Sequence, residues 1–222
     1  MLFIDSANVK EVADLGWWGC FRGVTTNPRI WLGSGQKYSK EAYKENIRRL
    51  CEVAEGNPVS VELTGSVLGA VEEAQELHAI NRDQIVIKVP MWPNGVGLKV
   101  IKLISDVDIR VNATCLMTAT QAVLASDAGA SYVSLFYRRM IDDMGEKQTD
   151  KEFRVASDLI DQNLSPIIAG SIREPGDVIK CLDLGAQIVT VTPKIIKELP
   201  NHPKTEETIA EFDKAWREYI RG

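Results

Sequence analysis

Ile85-Val86-Ile87-Lys88-Val89-Pro90 sets a single lysine inside a run of β-branched residues. Such a run reads as a strand, and on the enclosed side of a sheet it would hold the Lys88 amine where water is scarce. Desolvation disfavours an ammonium ion, and a lysine amine so placed can act as a nucleophile on carbonyl carbon. A lysine at a strand end can equally snorkel to the surface or pair with a structural carboxylate. The fold around it decides between these.

Working outward from this strand, the same kind of segment recurs along the whole chain. Residues 2–5, 23–26, 59–63, 85–89, 109–114, 132–136, 166–169 and 187–191 read as strands, and 40–55, 67–80, 97–106, 119–128, 151–162 and 175–184 as amphipathic helices between them. Strand and helix alternate with short loops and no polar linker, which favours a parallel sheet. Eight such units favour closure, so the α/β class expected is one (β/α)8 TIM barrel spanning residues 1–222. A doubly wound open sheet is the competing arrangement. Beyond the eighth strand, Pro200-Asn201-His202-Pro203 breaks the chain before an extra C-terminal helix, 204–222, with Ile209, Phe212, Trp216 and Tyr219 on one face. From these residues alone, its own barrel or a neighbouring subunit would cover that face equally well.

With 222 residues and 45% hydrophobic content the chain can bury one substantial core. Lys plus Arg is 26 against 31 for Asp plus Glu, a net charge of -5, so no basic footprint points to nucleic acid or an anionic membrane. Cys20, Cys51, Cys115 and Cys181 form no CxxC pair, which argues against a zinc site or a compact disulfide framework and for buried thiols in a reducing compartment. The amino terminus lacks the basic head and apolar run of a signal peptide, and no segment is apolar enough to span a bilayer; a cytoplasmic protein without membrane contact is expected. No GxGxxG or GxxxxGK[ST] occurs, and Gly33-Ser34-Gly35 and Gly95-Val96-Gly97 read as loop glycines. The two histidines, His78 and His202, sit in no triad or metal setting. Catalysis, if there is any, must then use lysine and carboxylates.

In a barrel, side chains at the carboxyl ends of the strands converge on one site. Those ends carry Asp5, Thr26 and Asn27, Glu62, Lys88, Asn112 and Thr114, Ser134, and Ser171 and Arg173. Asn112 and Thr114 are two apart and share a face. Each has a quieter reading: Asp5 beside Ser6 and Asn8 can cap a helix, Asn27-Pro28 can open a turn, and Glu62 can ion-pair with Lys88. Polar groups buried without partners cost roughly 1–3 kcal/mol each, so their coincidence at strand ends points to a ligand.

At these residues the sequence resembles the small transaldolase and fructose-6-phosphate aldolase family of class I Schiff-base barrels. The matching pieces are Phe3-Ile4-Asp5-Ser6-Ala7-Asn8, Gly23-Val24-Thr25-Thr26-Asn27-Pro28, Val59-Ser60-Val61-Glu62, Val86-Ile87-Lys88-Val89-Pro90, Val111-Asn112-Ala113-Thr114, Tyr132-Val133-Ser134-Leu135-Phe136 and Ala169-Gly170-Ser171-Ile172-Arg173. The resemblance implies that Lys88 forms an imine with a ketose carbonyl and that Asp5 removes the proton from the hydroxyl beside the bond to be broken. It implies that Glu62 and Thr114 hold a water, that Asn27, Thr26, Asn112 and Ser134 bind the three-carbon unit, and that no metal or cofactor is needed. Glu62 and Phe136 match the transferases of the family, where the aldolases that release free dihydroxyacetone carry glutamine and tyrosine. A homo-oligomer, pentamer or decamer, with the last helix on a neighbour, is implied as well.

The anionic end of the sugar is where the chain departs from the family pattern. The usual Ser-Pro-Phe-Val-Gly-Arg becomes Ser134-Leu135-Phe136-Tyr137-Arg138-Arg139, and glycine replaces alanine at Gly170. Arg139, Ser171 and Arg173 are expected to bind the anion. An additional arginine, Arg138, and a methyl group fewer at Gly170 suit either a sugar phosphate or a sugar sulfonate such as 6-deoxy-6-sulfofructose, and Arg138 can equally face solvent or a subunit contact. A barrel that binds the sugar without turning it over is disfavoured by the intact Asp5, Glu62 and Lys88.

Overall fold

Eight parallel strands close on themselves in sequence order, β1 to β8, in a computed structural model that describes residues 1–33, 38–65 and 67–221. The elements are β1 (Leu2–Asp5), α1 (Val9–Gly16), β2 (Phe21–Thr25), α2 (Pro28–Gly33), α3 (Lys40–Val53), β3 (Val59–Glu62), α4 (Ala70–His78), β4 (Ile85–Pro90), α5 (Val96–Ser105) and β5 (Val111–Leu116). They continue with α6 (Ala119–Asp127), β6 (Tyr132–Phe136), α7 (Tyr137–Met144), α8 (Glu146–Leu159), β7 (Ile167–Gly170), α9 (Pro175–Asp183), β8 (Ile188–Val191), α10 (Pro193–Ile196) and α11 (Pro203–Arg221). The sheet is therefore closed and not doubly wound. Ser34, Gly35 and Gly222 lie outside the described residues.

The strand periodicity separates two kinds of interior. Ile85, Ile87 and Val89 of β4 point outward and join the main core between strands and helices, together with Val59, Val61, Ile101, Val111 and Ile167. In the opposite phase, Phe3, Ile168 and Ile188 form a separate small cluster backed by Tyr132. Those residues are in phase with Asp5, Gly170, Thr190 and Ser134. An apolar plug thus fills the barrel beneath the ends of the strands, and polar residues stand on top of it.

Several helices escape the periodicity because they are short or polar. Asn8 caps α1, its side chain accepting from the N–H groups of Lys10 and Glu11 at 3.0 and 3.3 Å. Asp5 is thereby released from the capping role open to it in sequence. The helix read at 151–162 starts earlier, at Glu146, since the first two turns of α8 are charged and show little apolar period. The helix read from residue 67 starts at Ala70, where Gly69 turns left-handed at φ 82°. Gly97 lets α5 lie against the end of the lysine strand: a Cβ there would fall 2.7 Å from the Trp92 nitrogen and 2.8 Å from the Pro90 oxygen.

Candidate active site at the mouth of the barrel

The register of β3, β4 and β5 sets Glu62 opposite Lys88 and Lys88 opposite Asn112, so the three side chains share the inward face. Lys88 is buried, and its Nζ donates to the carbonyl oxygen of Thr26 at 2.7 Å and lies 3.2 Å from Glu62 Oε2. The amine does not snorkel to the surface; it is paired with Glu62, the ion pair open to it in sequence. It stands with Asp5 and Glu62 on a cavity of about 480 Å³ at the carboxyl ends of the strands.

Asp5 comes from β1, between β2 and β8. The Thr25 hydroxyl donates to Asp5 Oδ1 at 2.7 Å, and Thr25 Oγ1 is 2.5 Å from Thr190 Oγ1 on β8. Burial pushes the Asp5 carboxyl above the usual carboxylate value, against the pull of the Lys88 ammonium and of hydrogen bonds from Thr25 and Asn27. Asn27 has a second task, its Oδ1 accepting from the N–H groups of Arg29 and Ile30 at the start of α2, 3.1 Å each. The turn-opening role and the site role are filled by the same side chain.

The opposite wall is built from β5 and β6. Ser134 Oγ donates to Asn112 Oδ1 at 2.7 Å, and Asn112 Nδ2 donates to Ser60 Oγ at 3.3 Å. Asn112 is fully buried and lies behind Ser134, which is itself on the cavity. Thr114 lines the cavity with a buried hydroxyl that, the neighbouring Cys115 thiol apart, has no hydrogen-bond partner among the described residues. The register slips between Ala113 and Leu116, and Cys115 in that bulge is left-handed at φ 63°. Ser171 is left-handed too, at φ 59°. Two non-glycine residues held this way on one cavity mark backbone strain at the site. Cys115 and Cys20 are exposed, so only Cys51 and Cys181 are the buried thiols expected of all four. Burial of its sulfur still holds the Cys115 thiol above its ordinary value.

Four arginines lie around the mouth, and carboxylates divide them. Arg138 is not free to meet a ligand: its Nε donates to both oxygens of buried Asp177 at 2.9 and 2.8 Å, and its Nη2 also meets Glu174. Arg173 is exposed and clasps Asp142 on α7, with Nη1 donating to Oδ1 at 3.0 Å. Arg139 lines the cavity with its guanidinium 5.3 Å above the Phe136 ring. Arg29 lines it as well, and among the described residues neither Arg29 nor Arg139 has a carboxylate within salt-bridge distance.

The structure therefore brings Asp5, Asn27, Glu62, Lys88, Thr114, Ser134, Phe136, Arg139 and Ser171 to one cavity. Thr26, Asn112 and Arg173 do not reach it. Thr26 is out of phase with the inward residues of β2, and its hydroxyl donates to the Ser60 carbonyl at 3.1 Å. Asn112 is spent on Ser134 and Ser60, and Arg173 is neutralised by Asp142. Thr25, Thr190, Arg29 and Cys115 line the cavity without having been singled out in sequence. Counting in twos from Phe3, Gly23 and Ile188 would have found the two threonines.

The protein is thus a closed (β/α)8 barrel with a buried lysine and two carboxylates at its carboxyl-terminal mouth. The family described as Transaldolase/Fructose-6-phosphate aldolase matches residues 2–221. A probable transaldolase of Caldicellulosiruptor saccharolyticus is 37% identical, over 97% of this chain and 96% of that protein. Those of Thermoplasma acidophilum and Clostridium kluyveri are 37% and 39% identical, each over 97% of this chain and 95% and 96% of theirs. The chain belongs to the transaldolase/fructose-6-phosphate aldolase family and is a transaldolase-type enzyme. A thiamine phosphate pyrophosphorylase from Pyrococcus furiosus superposes with a TM-score of 0.63 at 12% identity, covering 90% of this chain and 93% of that one, a likeness of fold alone.

Proposed function

We propose that the protein is a transaldolase that moves a dihydroxyacetone unit, held as an imine on Lys88, from a ketose phosphate to an aldehyde. Fructose 6-phosphate and sedoheptulose 7-phosphate are the donors in this reading, and glyceraldehyde 3-phosphate and erythrose 4-phosphate the acceptors. The observation that carries it is the buried Lys88 amine, 3.2 Å from Glu62 and on one cavity with Asp5.

Lys88, its proton passed to Glu62, adds to the ketose carbonyl carbon, and the oxygen leaves as water to give an iminium. A water held between Glu62 and the hydroxyl of Thr114 moves the protons of that step. Asp5 then takes the proton of the hydroxyl on the fourth carbon, and the bond between the third and fourth carbons breaks with its electron pair flowing into the iminium. An aldehyde departs and a three-carbon enamine stays on Lys88. Attack of the enamine on the acceptor retraces these steps. Asn27 and Ser134 hydrogen-bond the three-carbon unit, with Asn112 fixing Ser134 from behind. Glu62 and Phe136 favour transfer over release of free dihydroxyacetone.

The anionic end of the sugar meets Arg139 and Ser171, and Arg29 adds a second uncompensated guanidinium to the same cavity. Arg138 is held by Asp177, so the extra arginine does not argue for a sulfonate. The assembly in this reading is a pentamer or decamer. Borohydride reduction in the presence of fructose 6-phosphate, 6-deoxy-6-sulfofructose or uncharged fructose, followed by intact mass and peptide mapping, tests it. A three-carbon adduct on Lys88 is expected, in highest yield with the phosphate, and none in a folded Lys88→Ala variant. A higher yield with the sulfonate reassigns the donor; absence of any adduct in folded wild type overturns the mechanism.

A further inference from the structure

We propose that Thr190 is a positioning residue for Asp5, acting through the Thr25 hydroxyl to hold the carboxylate as proton acceptor and to give its proton a path into the cavity. The inference rests on the reading of Asp5 as the base. Closure of the barrel is what makes it possible, since β8 pairs with β1 and sets Thr190 beside Phe3 while Asp5 pairs with Thr25 on β2. The hydroxyls that meet there are 165 positions apart in sequence.

Counting hydrogens fixes the direction of the chain. An ionised carboxylate only accepts, so Thr25 gives its one hydroxyl hydrogen to Asp5 Oδ1, 2.7 Å away. Thr25 Oγ1 can then only accept from Thr190 Oγ1 at 2.5 Å. The order is Thr190 to Thr25 to Asp5, and each donor strengthens the next. Once Asp5 has taken a proton from the substrate hydroxyl, the order can reverse: Asp5 donates to Thr25, Thr25 to Thr190, and Thr190 to a water in the cavity that it lines. One proton leaves Asp5, each hydroxyl ends with the single hydrogen with which it began, and the reverse passage restores the proton that Asp5 gives to the alkoxide formed on the acceptor. The charged groups facing Asp5 from the other strands are Lys88, which favours its ionisation, and Glu62, which opposes it; Asn27 adds a hydrogen bond.

Thr190→Val keeps the shape and removes the donor, and Thr190→Ser restores the donor without the methyl group. Titration of the Asp5 carboxyl by carbon-13 NMR in aspartate-labelled protein, assigned with Asp5→Asn, reads the effect without substrate. Thr25 keeps its bond to Asp5 but loses the donor that strengthens it, which disfavours the carboxylate, so the Thr190→Val midpoint is expected to rise by about half a pH unit to one unit. Thr190→Ser is expected to return it toward wild type, and the acid limb of kcat/KM to move in parallel. Thr25→Val should raise the midpoint at least as far, and adding Thr190→Val to it should change nothing more. An unmoved midpoint in folded Thr190→Val, or full additivity of the two, overturns the relay; if Thr190→Val does not fold, Thr190→Ala carries the same two outcomes. Failure to trap an imine on Lys88 would remove the functional reading and leave the NMR result to stand or fall by itself.

Discussion

Among the arginines at the mouth of the barrel, position in sequence and availability to a ligand are different things. Arg138, Arg139 and Arg173 all flank family motifs, yet only Arg139 retains a guanidinium directed to the cavity without a carboxylate partner, and Arg29 joins it from the turn after β2. A charge-assisted hydrogen bond to an anion contributes about 1.5–3 kcal/mol. Arg139→Ala and Arg29→Ala are therefore each expected to raise KM for the phosphorylated ketose about tenfold or more and to leave that for uncharged fructose within about twofold, a comparison made by steady-state kinetics. Equal losses with both ketoses would mean that the residue supports the cavity and does not contact the anion. The lysine, both carboxylates and Asn27 were legible because their residue types are unusual at strand ends. Thr25 was hidden next to Thr26, two identical residues whose roles differ only by the phase of the strand. Arg29 was hidden because a turn, with no period of its own, aims it.

The elements carry a second distinction, between groups that build the site and groups that hold its frame. Arg138 on α7 ties that helix to the first turn of α9 through Asp177, which also accepts from the backbone N–H groups of Arg173 and Glu174. The same carboxylate thus closes the capping box of α9 and neutralises the arginine. Breaking a fully buried ion pair costs about 3–5 kcal/mol. Arg138 keeps some contact with solvent, and Asp177 keeps two backbone donors, so Arg138→Ala is expected to cost on the order of 2 kcal/mol, read by urea denaturation. Its KM for the phosphorylated ketose should stay within about twofold, and a tenfold rise would return Arg138 to the anion site. All eight strands were legible to within two residues because each is a short run rich in apolar residues with turn residues on at least one side. α7 and the first half of α8 were not, since α7 follows β6 without a loop and the start of α8 is held by charged residues instead of an apolar stripe.

At the scale of the whole molecule, the barrel leaves α11 without a place to pack. Ile209, Phe212, Trp216, Tyr219 and Ile220 are all exposed, and among the described residues the helix buries none of its own. Of the two covers open to it in sequence, the barrel's own surface is not used. Fully burying five such side chains contributes on the order of 10 kcal/mol, and fixing one subunit against another costs roughly 4–15 kcal/mol. A single helix-to-neighbour contact therefore stands near break-even. A closed ring changes the balance, because the last interface forms with no further loss of translational freedom. Hence the assembly is expected to be all or none: wild type should run in size-exclusion chromatography with light scattering as a pentamer or decamer, without dimers or trimers. Phe212→Glu with Trp216→Glu should give a folded monomer with an intact barrel by circular dichroism. A wild-type monomer, or a charged variant that still assembles, would show that α11 is not the element that closes the ring.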